Sequence, residues 1–284
     1  MIEGQTSVRQ ESKHNPDDDD VSEPETNLFS YPTPVPMGRY THARHHRDGL
    51  FSSIYEAGRP VSHPISHPTH VGVKFDVVAL KDTTPSHMSE PHDSEREARI
   101  LEACRSAHVI PLLETFWQAG GRFILVFPFM RYDMASLLRS DRLKESQIKS
   151  HLRDLFSALA HLHANGIIHR DVKPSNILLK TRDGPAYLAD FGIAWSPTDE
   201  ASEPAKQKIT DVGTTCYRPP ELLFGNESYG CALDLWAAGC VVAEACNKPH
   251  KTLFEAGDLG SELALIKSIF STLGTPDITF WPVR

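Results

Sequence analysis

The sequence has no uninterrupted apolar run approaching the ~20 residues a helix needs to cross a bilayer, and its polar N-terminus has no signal-peptide core. These absences speak against a membrane partner and lead us to expect an intracellular protein, nuclear or cytoplasmic. It also has no CxxC spacing. The five cysteines, Cys104, Cys216, Cys231, Cys240 and Cys246, are odd in number, which argues against a disulfide framework or a zinc site. Nor is there a basic excess. The net charge is −8, and residues 1–27 hold eight acids against Arg9 and Lys13, so that only −2 is left for the remainder. Nothing in that balance recommends nucleic acid as a partner. What is present is a chain of 284 residues with 40% hydrophobic content, enough for one large or one two-lobed domain.

Residues 1–39 are rich in Asp, Pro, Ser and Glu with little apolar periodicity, the composition of a disordered acidic tail, either solvating or a docking arm. Tyr40–Ala57 is expected to hold two strands. Gly58–Gly72 carries His63, His67 and His70 at spacings that invite a metal, but Pro60, Pro64 and Pro68 break any helix that would align the imidazoles, so an elongated loop is the expectation. Phe75–Lys81 reads as a strand by its β-branched content. Ser89–Ala107 reads as a helix with Pro91 near its start and Glu97, Leu101 and Cys104 on one buried face. Ile110–Leu113 and Phe123–Phe127 are expected to complete a small antiparallel sheet. Glu145–Ala164 carries Ile148, Leu152, Leu155, Phe156, Leu159 and Leu162 as a helical stripe, and Gly166 is placed to stop that helix in the left-handed conformation.

The stretch Gly166–Gly192 is dense in chemistry. Asp171, Lys173 and Asn176 fall in a Pro-containing loop; Ile177–Leu179 and Tyr187–Ala189 read as a short hairpin that returns Asp190 beside Asn176. An Asp and an Asn presented together offer hard oxygen ligands to Mg²⁺, which keeps several waters and bridges to phosphates. Asp171 is then left over to act on a nucleophile.

His169-Arg170-Asp171, Lys173, Asn176 and Asp190-Phe191-Gly192 resemble the catalytic and magnesium loops of protein kinases. The resemblance implies an α+β, bilobal fold, with a small lobe and hinge over residues 40–130 and a mainly helical large lobe over 131–284. It also implies ATP and Mg²⁺ as cofactors and a protein serine or threonine as substrate. On that pattern Asp171 accepts the substrate hydroxyl proton, Lys173 neutralises charge on the transferring phosphoryl group, and Asn176 and Asp190 hold Mg²⁺. Lys81, within Val-Ala-Leu-Lys, clamps phosphates and pairs with Glu97. The Pro128 carbonyl and the Met130 N–H and carbonyl grip adenine, and Ile54, Ala79 and Leu178 form an apolar slot. The phosphate loop becomes Arg47-Asp48-Gly49-Leu50-Phe51-Ser52, where only the central Gly49 survives, which puts tight phosphate cradling in doubt.

Further along, Gly213-Thr214-Thr215-Cys216-Tyr217-Arg218-Pro219-Pro220-Glu221 is similar to the end of a kinase activation segment, and Asp234 matches the aspartate that holds the catalytic-loop backbone. Arg218 and Leu273-Gly274-Thr275-Pro276-Asp277, followed by Phe280-Trp281-Pro282, resemble the cyclin-dependent kinase group, and the eroded glycine loop looks most like its fungal monomeric CDK-activating kinases. A cyclin-dependent kinase is the implied protein substrate. Cyclin dependence is unsupported, since the PSTAIRE motif is absent, and Gly213 gives no support for proline-directed specificity. The family's final helices are missing after Arg284, so an incomplete large lobe is expected, with Glu221 lacking the arginine that pairs with it. A pseudokinase-like binding module or a truncated fragment therefore stands as the alternative to an active enzyme. In the family that this chain resembles, the arginine at the place of Arg170 commonly lies near a phosphate on the activation segment; Thr210 is the nearest candidate here, but Ile209 occupies the aligned position, which favours activity without loop phosphorylation.

Overall fold

The computed structural model describes residues 35–59 and 77–277. The acidic N-terminal stretch, the His63, His67 and His70 loop and Phe280-Trp281-Pro282 lie outside the described residues. Two layers of structure carry the site. The first is a six-stranded antiparallel sheet in the order β1-β2-β3-β4-β6-β5, formed by β1 (Val35–Met37), β2 (Tyr40–Asp48), β3 (Ser52–Gly58), β4 (Val77–Thr83), β5 (Glu114–Gln118) and β6 (Arg122–Pro128). The second is mainly helical: α2 (Met134–Arg139), α3 (Glu145–Ala164), α4 (Pro220–Leu223), α5 (Ala232–Cys246) and α6 (Glu262–Leu273), with a small sheet of β7 (Tyr132–Asp133), β8 (Ile177–Leu179) and β9 (Ala186–Leu188). The α+β, two-lobed architecture is the one the sequence led us to expect.

Beyond shifts of a residue or two, three boundaries and one buried face differ from the sequence expectation. Val35–Met37, within the residues 1–39 expected as a tail, instead pairs with β2, and Met37 is buried beneath the sheet with Tyr40 and Val78. The helix expected from Ser89 is α1 (Ser94–Ala103): Asp93 adopts an extended conformation and its carboxylate accepts the Arg96 N–H at 2.8 Å, which fixes the helix start there. The strand expected at Ile110–Leu113 is Glu114–Gln118 instead. Ile110–Leu113 is buried chain that bridges the layers, since Ile110 N–H donates to Leu188 O at 2.9 Å and Leu113 N–H to Val126 O at 2.8 Å. Finally, Phe156 is 42% exposed and is not part of the α3 stripe; Ala158, fully buried, takes its place between Leu155 and Leu159.

The buried face of α3 also carries His151. Its Nε2–H donates to the Arg182 carbonyl at 3.0 Å, while buried Nδ1 has no partner among the described residues. Burial pushes the His151 pKa below its ordinary value of 6.5, and the Arg182 hydrogen bond offsets this only in part. Above pH 6.5 the ring is neutral both folded and unfolded and contributes nothing; below it the unfolded chain takes up a proton that the folded chain refuses, so stability falls. We expect Tm to drop between about pH 7.5 and about pH 5.5, and to drop less in His151→Gln. Equal acid losses in the two proteins would place the titration elsewhere.

Candidate active site

The loop after α3 is held by a buried carboxylate. Gly166, at φ +71°, ends the helix, and the chain turns back so that Asp234 on α5 receives the N–H of His169 and of Arg170, each at 2.9 Å, and His163 Nε2 at 2.8 Å. A buried aspartate is costly unless it is hydrogen-bonded in this way. Its grip also keeps Arg170 at φ +70°, a left-handed conformation that a residue with a side chain adopts only when its surroundings enforce it.

Asp171 follows directly and is enclosed on three sides. Its Oδ2 accepts Asn176 Nδ2 at 3.0 Å and lies 2.8 Å from Lys173 Nζ; its Oδ1 accepts the Thr214 N–H at 3.0 Å and the Thr214 hydroxyl at 2.8 Å. Lys173 also donates to the Thr214 hydroxyl at 2.7 Å. Thr214 reaches this position because Gly213 precedes it: at φ +77°, with a Cβ that would stand 2.7 Å from the Arg170 carbonyl, residue 213 admits no side chain. The sequence reading quoted Thr214 as motif only. Its contact with Asp171 spans 43 residues and left no local signal.

Lys81, Glu97 and Asp190 meet above this loop. Lys81 Nζ lies 2.7 and 2.9 Å from the Glu97 oxygens and 2.9 Å from Asp190 Oδ1, so two carboxylates share one ammonium. Burial alone would lower the Lys81 pKa, but the charges of Asp190 and Glu97 outweigh it and push the pKa above the usual lysine value. The Lys81 charge holds Asp190 well below the carboxylate range, whereas burial pushes Glu97 up, with Lys81 only partly offsetting it. Asp190 sits at φ +67°. Beside it Phe191 is fully buried and meets the His169 ring edge-on at 4.7 Å, tying this corner to the Asp171 loop.

Between the layers lies a cavity of about 320 Å³ lined by every residue expected to contact a nucleotide: Gly49, Ile54, Ala79, Lys81, Pro128, Met130, Leu178 and Asp190. Ile54, Ala79 and Leu178 give it apolar walls, the character of a ligand slot. At its edge, among the described residues, neither the N–H nor the carbonyl of Met130 makes a hydrogen bond. The phosphate loop is held by side chains and by one backbone hydrogen bond. Asp48 accepts from the Ser53 hydroxyl at 2.6 Å and pairs with His45 at 2.9 Å, and the Gly49 N–H donates to Ser52 O at 2.6 Å.

The donor set suits a hard cation. Lys81 engages Asp190 through Oδ1, and Asn176 uses its Nδ2 on Asp171, which leaves Asp190 Oδ2 and Asn176 Oδ1 without protein partners among the described residues, both residues lining the cavity. Two such oxygens, with no cluster of three acidic, His or Cys ligands among the described residues, match Mg²⁺, which binds through one or two protein groups plus phosphate and water. Glu221 is half-buried and has no side-chain partner among the described residues, whereas Arg218 pairs with Asp211 at 2.8 Å and Glu262 at 2.9 Å.

A family model described as protein kinase domain matches residues 72–277. The chain is 34% identical over 250 residues to serine/threonine-protein kinase csk1 of Schizosaccharomyces pombe, an alignment covering 85% of this chain and 75% of that protein. It is 32% identical over 265 residues to the CTD kinase subunit alpha of the same yeast, covering 92% of this chain and 41% of the relative. Over 211 residues it is 34% identical to Cyclin-dependent kinase 20 of Homo sapiens, covering 73% and 58% respectively.

Proposed function

The chain belongs to the protein kinase family, on its serine/threonine, cyclin-dependent-kinase-like branch, and from that premise we propose that it is an active enzyme that transfers the ATP γ-phosphate to a protein hydroxyl. One observation carries the reading: the Lys81 ammonium lies within 2.9 Å of carboxylate oxygens of both Glu97 and Asp190, and the three residues line the same cavity as Asn176. In the reaction Asp171 Oδ2 accepts the proton of the incoming serine or threonine hydroxyl, and Lys173, 2.8 Å away, sets its charge against the phosphoryl group in transit. Lys81 fixes the α- and β-phosphates, its own direction fixed by Glu97. The hinge carbonyl of Pro128 and the free N–H and carbonyl of Met130 orient the adenine. Asn176 and Asp190 would hold Mg²⁺, which supplies charge neutralisation at the phosphates. Because positioning and electrostatics dominate phosphoryl transfer, side-chain support of the phosphate loop by Asp48 and Ser53 replaces glycine cradling at some cost in nucleotide affinity.

We assign a cyclin-dependent kinase as the protein substrate and the nucleus or cytoplasm as the location, on the resemblance to the monomeric CDK-activating kinases; no cyclin requirement is assigned. No helix among the described residues is long and apolar enough to cross a membrane. The competing reading, a binding module without turnover, is favoured by one feature, the phosphate loop with its single glycine. Calorimetry and a peptide array read by mass spectrometry separate the two. We expect Mg-ATP to bind below millimolar concentration and phosphate to appear on serine or threonine. Absence of both signals would establish the binding module.

A further inference from the structure

Arg170 raises a problem that the reaction does not resolve: its guanidinium is fully buried, and a buried charge needs an anion. The chain supplies one. Glu203 Oε1 lies 2.8 Å from Arg170 Nη1, which also donates to the Tyr229 hydroxyl at 3.1 Å, while Arg170 Nε donates to Ile193 O. A second buried guanidinium, Arg96 on α1, donates to Ala201 O at 3.1 Å and to Pro91 O. Burial lowers the Arg96 pKa, the Arg170 charge lowers it further, and Glu203 acts in the opposite direction, so the carboxylate paired with Arg170 also favours the Arg96 charge. Burial would raise the Glu203 pKa, yet the hydrogen bond and charge of Arg170 outweigh it and keep the group ionised. The backbone of Glu203 is fixed as well, since Trp195 Nε1–H donates to its carbonyl at 2.8 Å. Nearby, Asp199 takes a two-pronged bond from Arg99 of α1 at 2.7 and 3.0 Å.

These contacts join three parts of the molecule through one segment: α1, which carries Glu97; the loop that carries Asp171; and residues 193–213. Such a junction is where an added phosphate would order a mobile segment by pairing with arginine. Among the described residues no hydrogen bond joins Thr210 to Arg170, and the anion present is a carboxylate of the chain itself.

We infer that Glu203 is a positioning residue whose carboxylate locks Arg170, and with it the Asp171 loop and α1, in the geometry for phosphate transfer, so that activity requires no phosphate on the activation segment. The inference rests on the kinase reading above. It is tested on the full chain after phosphatase treatment, with mass spectrometry verifying that no phosphate remains. Wild type and Thr210→Ala are expected to turn over alike. Glu203→Gln is expected to lose roughly tenfold to a hundredfold in kcat with little change in KM for ATP, and Glu203→Asp to recover part of it. Hydrogen exchange should rise across residues 199–213 and α1 in Glu203→Gln, a readout that needs no turnover. Full kcat and unchanged exchange in Glu203→Gln would overturn the inference. So would a tenfold loss in Thr210→Ala that an acidic residue restores, or wild type active only when phosphorylated. If wild type transfers no phosphate in any state, the kinase reading fails, and the exchange comparison alone decides whether Glu203 locks the segment.

Discussion

Asp171→Asn is expected to lower kcat by about 10²- to 10⁴-fold while Mg-ATP binds nearly as it does to wild type. The substitution keeps the size of the side chain and one oxygen for Thr214, but an amide cannot accept the substrate proton. It also turns an NH2 toward Lys173 and Asn176, which in the wild type donate to or pair with Oδ2 at 2.8 and 3.0 Å. The second effect rotates or displaces the group, and the first removes the base, so the loss falls on kcat rather than on nucleotide affinity. Single-turnover phosphate transfer together with calorimetry is the measurement. A kcat within about threefold of wild type would remove Asp171 from the reaction.

Asp234→Ala is expected to damage both stability and turnover. Three donors converge on this one carboxylate, the N–H groups of His169 and Arg170 and the part-exposed His163 ring, and the two N–H groups would lose their acceptor at a site closed to water. Each buried donor left unsatisfied costs about 1–3 kcal/mol, so the sum is a large share of the ~5–15 kcal/mol that holds a domain folded. Arg170 would also be released from its left-handed conformation, and Asp171 is the next residue. A displacement of about 1 Å at such a group costs on the order of 10²-fold in rate. Asp234→Asn should fall between the two, since its amide oxygen can serve one N–H while its NH2 opposes another. Thermal unfolding and kcat should therefore decline together in the order wild type, Asn, Ala. An alanine variant with unchanged Tm would mean that the loop holds its shape without Asp234.

Much of the site was legible because its parts are local. The 3.6-residue period placed α3, the β-branched run placed the strand with Lys81, and the spacing of Ile177–Leu179 and Tyr187–Ala189 placed, within one residue of its observed bounds, the hairpin that sets Asp190 near Asn176. Such signals reflect backbone geometry within a few residues, which a chain expresses wherever it folds. Errors occurred where local patterns compete. Ile110–Leu113 is as apolar as a strand, yet it is buried by contacts to both layers, and the strand is the more polar Glu114–Gln118 on the sheet edge. Phe156 fits a helical stripe within the tolerance of the period, but the neighbour that would cover it is absent from that face among the described residues.

By itself, then, the sequence determined the identity and order of the reactive groups, the family and the elements that carry them. Only the tertiary structure decided which charges meet: Lys81 with Asp190 across 109 residues, and Arg170 with Glu203 across 33. The physical reason is that a charge is tolerated inside a protein only with a partner at hydrogen-bond distance. That distance is set by how sheet, helices and loops pack. Glu203 shows the difference most plainly: in the sequence it is one acid in a polar segment, and in the fold it is the carboxylate that pairs with the buried Arg170.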